Sequence, residues 1–162
     1  MSNLDYGFFE VSIEKQGRIK LPAALLKALP EEERKNFWIT HGFGQHIMLW
    51  TVNAYRKQME YLNSLDRNIR EIKKYRNAFL RNTAFIESDA QDRFVIPRTL
   101  LEQYQIEREV VLVLDNEKIE IWNSSLYHKE FDMDPEEFSK LNEDIHLGKY
   151  NVVKGESNGI VS

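Results

Sequence analysis

"EKQGRIKLPAALL", residues 14–26, returns further along the same chain as "DAQDRFVIPRTLL", residues 89–101. Each copy runs from a carboxylate through three residues to an arginine. An alternating apolar segment, a proline and a leucine-bearing run then follow. Around the first copy, "FEVSIE" alternates, with Phe9, Val11 and Ile13 on one face and Glu10, Ser12 and Glu14 on the other. That is the period of a half-buried strand. "KQG" reads as a turn whose glycine is free to take positive φ, and "RIKLP" as the strand returning alongside the first. Ile19 and Leu21 point inward there, and Arg18 and Lys20 outward. Pro22 suits the first turn of a short helix, "PAALLKAL".

The order of elements continues in parallel. A hairpin of "FWIT" and "HIMLW" follows the first copy, then a helix from about Asn53 with Tyr55, Met59 and Leu62 at helical spacing. After the second copy comes a hairpin of "VVLVL" and "KIEIW" around "DNE". Trp50 and Trp122 close equivalent strands, with Tyr55 and Tyr127 at the same distance beyond, so both tryptophans are expected to fill the core. A unit this small cannot bury its own sheet, whereas two copies together can. The expected fold is therefore mainly β with short helices, an α+β, β-barrel-like body of two pseudo-symmetric repeats. The divisions expected are 6–55 and 83–127 for the repeats, 56–82 for a basic linking helical segment, and 128–162 for an acidic extension.

Charge is divided unevenly along the 162 residues. Residues 1–125 hold 18 Lys and Arg against 18 Asp and Glu, while 126–162 hold 4 against 8, so the net −4 belongs to the tail. Within the balanced part, residues 55–82 hold 8 basic side chains against 3 acidic ones. In the linking segment Ile69, Ile72, Phe79 and Leu80 form one face, and Arg67, Arg70, Lys73, Lys74, Arg76 and Arg81 crowd the rest. In the tail Asp134 is a helix cap, Pro135 opens the first turn, and Phe138, Leu141 and Ile145 share a face. From about residue 150 onward no pattern remains, and a mobile end is expected.

Several function classes fall away. With no cysteine there are no disulfides, thiolate metal sites or cysteine nucleophiles. His41, His46, His128 and His146 show no ligand spacing shared with acids, so no metal or other cofactor is expected. No phosphate loop, nucleophile elbow or paired-carboxylate cleft supports catalysis or a small-molecule substrate. No apolar run approaches the roughly 18 residues of a membrane span, and the start has acids where a signal peptide needs bases. A cytoplasmic protein is expected.

The duplicated acid-x-x-x-Arg turns, each followed by a short apolar strand and proline, with an "IW" strand end, resemble the MraZ family of bacterial transcriptional regulators, built from tandem SpoVT–AbrB-type domains. The resemblance covers roughly residues 6–127. It implies a nucleoid-associated repressor that binds double-stranded DNA as a homo-oligomeric ring, on short direct repeats in the promoter of the cell-division and cell-wall gene cluster. The family's DNA-contacting turn falls on Glu14, Lys15, Gly17 and Arg18, continuing to Lys20, and again on Asp89, Gln91 and Arg93. Glu14 stands where the family has Asp, and Asp92 where it has Gly. A carboxylate at 92 is expected beside Arg93, weakening that turn's attraction for phosphate, which makes the first turn the better candidate. The competing reading of each acid–arginine pair is an ion pair that staples its own turn. Competing functions are an AbrB-like antitoxin and an oligomeric protein-binding scaffold that does not use DNA.

Overall fold

The computed structural model describes residues 6–150; the expectation for the tail from 151 onward lies outside them. The chain divides into two units, one ending at His128 and the other beginning at Lys129. The first unit holds both repeats.

Eight strands form there in two antiparallel sheets. The larger contains β1 (Tyr6–Ser12), β3 (Asn36–His41), β4 (Ile47–Thr51), β5 (Ala84–Glu87), β7 (Glu109–Asp115) and β8 (Lys118–Asn123), ordered β1-β7-β8-β4-β3-β5. The smaller is a ribbon of β2 (Arg18–Lys20) and β6 (Arg93–Val95). The helices of this unit are α1 (Ala23–Lys27), α2 (Val52–Ser64), α3 (Arg70–Arg81), α4 (Arg98–Gln103) and the start of α5 (Ser124–Phe131). The mainly β, α+β fold with two repeats is the one expected from the sequence.

The pairing differs from that expectation in one decisive respect. The strand after "KQG" does not return along β1. Only Glu14 and Arg18 bridge, with the Glu14 N–H donating to the Arg18 carbonyl at 2.7 Å, and the two strands then part. β1 pairs with β7 of the other repeat, and β2 pairs with β6 of the other repeat. β4 likewise lies against β8. Side-chain alternation in "RIKLP" sets which face of the strand is buried, but it is silent on which neighbour supplies the hydrogen bonds. The neighbour is chosen by the other copy, whose equivalent apolar face, Phe94 and Ile96 against Ile19 and Leu21, completes the core.

One face of the large sheet carries that core. Phe37, Ile39, Ile47, Leu49, Ile86, Val110, Leu112, Leu114, Ile119 and Ile121 meet Ile19 and Phe94 from the ribbon, with Leu25 and Leu26 of α1 and Leu100 of α4. Truncating one of these leucines or isoleucines to alanine costs about 2–5 kcal/mol. The opposite face is covered by α2 and α3, where Met48 and Trp50 pack with Leu62 and Phe79. Trp50 and Trp122 are buried as expected, but Trp50 belongs to this outer cluster and not to the barrel interior. The register explains it: Ile39 opposes Leu49 on the inner face, so Trp38 and Trp50 share the outer one. The ribbon and α3 therefore lie on opposite sides of the large sheet.

Thr51 caps α2, its hydroxyl accepting from the Ala54 N–H. Ile69 was expected on the apolar face of α3, but it sits at the N-cap and is exposed. In the second unit α6 (Pro135–His146) has Asp134 as its cap and Pro135 in its first turn, as its sequence indicated, and Glu137 completes a reciprocal capping box with Asp134. No helix of the described residues is long and apolar enough to cross a membrane.

Candidate nucleic-acid interface

The two acid-x-x-x-Arg turns converge on the ribbon. Antiparallel register sets Arg18 opposite Val95, Ile19 opposite Phe94, and Lys20 opposite Arg93. Since Ile19 and Phe94 are buried, the period of two turns Arg18, Lys20, Arg93 and Val95 to the other face. Hydrogen bonds extend the pairing symmetrically at both ends. The Ile96 N–H donates to the Gly17 carbonyl, and the Leu21 N–H donates to the Asp92 carbonyl, each at 3.0 Å. Two turns 75 residues apart in sequence thus build one surface.

The turns themselves are made differently. In the first, Gln16 at φ 63° and Gly17 at φ 75° both take left-handed geometry. A β-carbon on Gly17 would stand 2.7 Å from Cδ1 of Leu101 and 3.5 Å from the Ile96 carbonyl, so glycine answers to both backbone and space. In the second, Asp92 takes φ 64° at the equivalent place, a conformation that aspartate tolerates better than most residues. Asp89 closes this turn with its own carboxylate. Its Oδ1 accepts from the Gln91 N–H at 2.8 Å and the Arg93 N–H at 2.9 Å. Glu14 makes no such bond to its own turn.

The ion pairs run crosswise. Glu14 accepts from Nε of Arg93 at 3.0 and 3.2 Å, and Asp89 pairs with Arg18 at 3.6 Å. The expected staples, Glu14 to Arg18 and Asp89 to Arg93, give way to staples between repeats. The swapped ribbon is the reason, because it sets each arginine beside the other copy's acid. Asp92 does not neutralise Arg93 as expected. Its carboxylate takes a hydrogen bond from Lys35 Nζ at 3.1 Å, and Lys35 also donates to the Asp89 carbonyl at 3.0 Å.

Electrostatics follow these contacts. The Arg93 N–H foremost, then the Gln91 N–H and the charges of Arg18 and Arg93, hold the Asp89 carboxyl below the usual carboxylate range against a smaller opposing effect of desolvation. The Glu14 hydrogen bond raises the Arg93 guanidinium further. Arg93 is also the more sheltered, with 28% of its side chain exposed against 52% for Arg18.

Each residue singled out in the sequence therefore has a place. Glu14, Lys15, Arg18, Lys20 and Gln91 are exposed, while Gly17, Asp89 and Arg93 are half-buried in the same turns. Two residues of this surface were missed. Lys35 lies 54 residues before Asp89 and no spacing marks it. Val95, 52% exposed, was legible, since alternation from Arg93 sets it on the outward row where the first repeat has Lys20. Among the described residues no group of three or more His, Asp or Glu could hold a metal ion.

Comparison with known proteins agrees with the duplicated turns. The family model described as MraZ protein, antitoxin-like, matches residues 6–74 and 79–149. A protein of Cytophaga hutchinsonii named transcriptional regulator MraZ is 28% identical over 137 residues, covering 85% of this chain and 91% of that one. Its namesake in Mycoplasmopsis pulmonis is 31% identical over 131 residues, 75% of this chain and 80% of that one. Another in Flavobacterium psychrophilum is 27% identical over 150 residues, 92% and 95%. With two matched repeats and relatives aligned over three quarters or more of its length, this chain belongs to the MraZ family.

Proposed function

We propose that this protein is a sequence-specific, non-catalytic DNA-binding transcriptional regulator, acting as a repressor in the cytoplasm on the nucleoid. The observation that carries this reading is the outward row of the β2–β6 ribbon, which presents Arg18, Lys20 and Arg93 from two repeats on one exposed face. The relatives' printed name, transcriptional regulator, supports it.

A two-stranded ribbon fits the major groove, where an arginine pairs bidentately with guanine O6 and N7, worth about 1–3 kcal/mol of discrimination. Arg18 takes that role, with Arg93 beside it. Lys15 and Lys20 reach phosphate and add affinity without sequence information. Gln91 on the second turn offers an amide to a base or phosphate. Glu14 and Asp89 hold the two guanidinium groups in place, each from the opposite repeat, and Gly17 permits the turn. Val95 supplies the apolar contact that a thymine methyl accepts.

One ribbon is a small footprint. A ring of copies presenting it at fixed spacing gains avidity on the order of 10²–10⁴-fold on DNA whose repeats match that spacing. Neighbours in a cyclic assembly are related head to tail, which suits direct repeats; the target is the promoter of the cell-division and cell-wall gene cluster. Footprinting on DNA upstream of the protein's own gene, with a salt titration, tests this. Protection of evenly spaced short repeats, weakening steeply as salt rises, is expected. Equal affinity for that DNA and for a scrambled duplex would refute sequence-specific reading.

A further inference from the structure

We propose that the outer surface of α3 is a second, sequence-independent site for the phosphate backbone of double-stranded DNA. This rests on the DNA-binding reading for its class of ligand, but on separate residues.

Helix α3 carries five basic residues, Arg70, Lys73, Lys74, Arg76 and Arg81, against one acid, Glu71. Its apolar side is spent on the sheet, with Phe79 buried and Ile72 and Leu80 half-buried. Arg70, Lys73, Lys74 and Asn77 are exposed and line a shallow hollow of about 380 Å³. Their spacing of i, i+3, i+4 and i+7 sets them along one helix face. At 1.5 Å per residue they span roughly 10.5 Å, the axial length of about three phosphates at 3.4 Å per strand.

The state of these cations separates them from those of the ribbon. Arg18, Arg93 and Lys35 each face a carboxylate at 3.6, 3.0 and 3.1 Å. Arg70, Lys73 and Lys74 form no ion pair among the described residues. Like charges at helical neighbours oppose one another, and among the described residues no carboxylate stands within ion-pair distance of these three. No apolar residue lines the hollow, and lysine is depleted in protein–protein interfaces. A row of lysine, arginine and asparagine suits phosphate oxygens.

Because α3 and the ribbon lie on opposite sides of the large sheet, the two surfaces of one chain do not share a straight stretch of duplex. The α3 site takes a second segment, or the same DNA after it has bent around the molecule. It therefore adds affinity and salt dependence but no base preference.

The test uses the full chain, two 30-base-pair duplexes (upstream promoter and scrambled) and binding measured from low to moderate salt. The variants are Arg70→Gln with Lys73→Gln and Lys74→Gln, which keeps good helix formers, and Arg18→Ala with Arg93→Ala. The α3 variant is expected to lose about tenfold or more in affinity for scrambled DNA at low salt. Its slope of log affinity against log salt should fall by about 2–3, with preference for promoter DNA retained. The ribbon variant should show the reverse, keeping the slope on scrambled DNA and losing preference. Wild-type slope and affinity in a folded α3 variant would overturn the proposal while leaving the ribbon reading intact. Promoter preference surviving in the ribbon variant would overturn the ribbon reading and leave the α3 site standing, and wild-type protein that binds neither duplex would overturn both.

Discussion

The first turn, Glu14 to Arg18, and the second, Asp89 to Arg93, share a motif and a ribbon, yet they hold their arginines differently. Asp89 is short, so its carboxylate caps the amides of its own turn. Glu14 is one methylene longer and reaches across to Arg93 instead, with two hydrogen bonds. The consequence falls on the arginines. Arg93 is gripped by a carboxylate through Nε and half-sheltered, whereas Arg18 has a looser pair at 3.6 Å and stands more in solvent. A single methylene, placed in one copy of a duplicated turn, separates a fixed cation from an available one.

The largest effect that follows is on DNA. Arg18→Ala is expected to weaken binding to the promoter duplex by about 1–3 kcal/mol, roughly 5- to 150-fold, with relaxed preference for guanine. Arg93→Ala should cost less, because its guanidinium must first leave Glu14. Titrations of both variants against the same duplex decide this. Arg93→Ala abolishing binding while Arg18→Ala leaves it intact would invert the comparison.

Next in size is the backbone contrast. Gly17→Ala combines left-handed geometry, about 1–2 kcal/mol for a residue with a β-carbon, with the 2.7 Å approach to Leu101. A loss of roughly 1–3 kcal/mol in urea unfolding is expected. Asp92→Gly, the equivalent place in the other turn, should instead stay within about 1 kcal/mol of wild type. It relieves the left-handed aspartate but removes the partner of Lys35. It should also tighten binding to any duplex a few-fold at low salt, since it frees a cation. Equal losses for the two changes would mean that the turns are equivalent in strain.

Much of this was readable before any coordinates. The duplication, the strands, the cap at Asp134 and the buried tryptophans all leave local signals in period, spacing or residue type. The partner of each strand does not. Arg18 and Lys20 alternate with Ile19 and Leu21 whether β2 lies beside β1 or beside β6, so the exchange between repeats stayed hidden, and with it the crosswise ion pairs. Lys35 was hidden for the same reason, since only the folded chain brings it to Asp92. Val95 was within reach, because its alternation with Phe94 already set it on the face of Arg93.

The smallest effect concerns acid, and it falls on the second turn. The Asp89 carboxyl is held below its ordinary value chiefly by the Arg93 N–H. A depressed folded-state value means that its contribution to stability is fully present above the unfolded value of about 3.9. That contribution is lost as pH falls through the lower, folded one. Asp89→Asn keeps an oxygen to accept the two amide hydrogens but removes the ionisation. Urea midpoints measured from pH 6 down to pH 2.5 should therefore fall less steeply in Asp89→Asn than in wild type, and the two curves should draw together at the acid end. If Asp89→Asn left the acid limb as steep as in wild type, the acid sensitivity would not belong to the capped second turn.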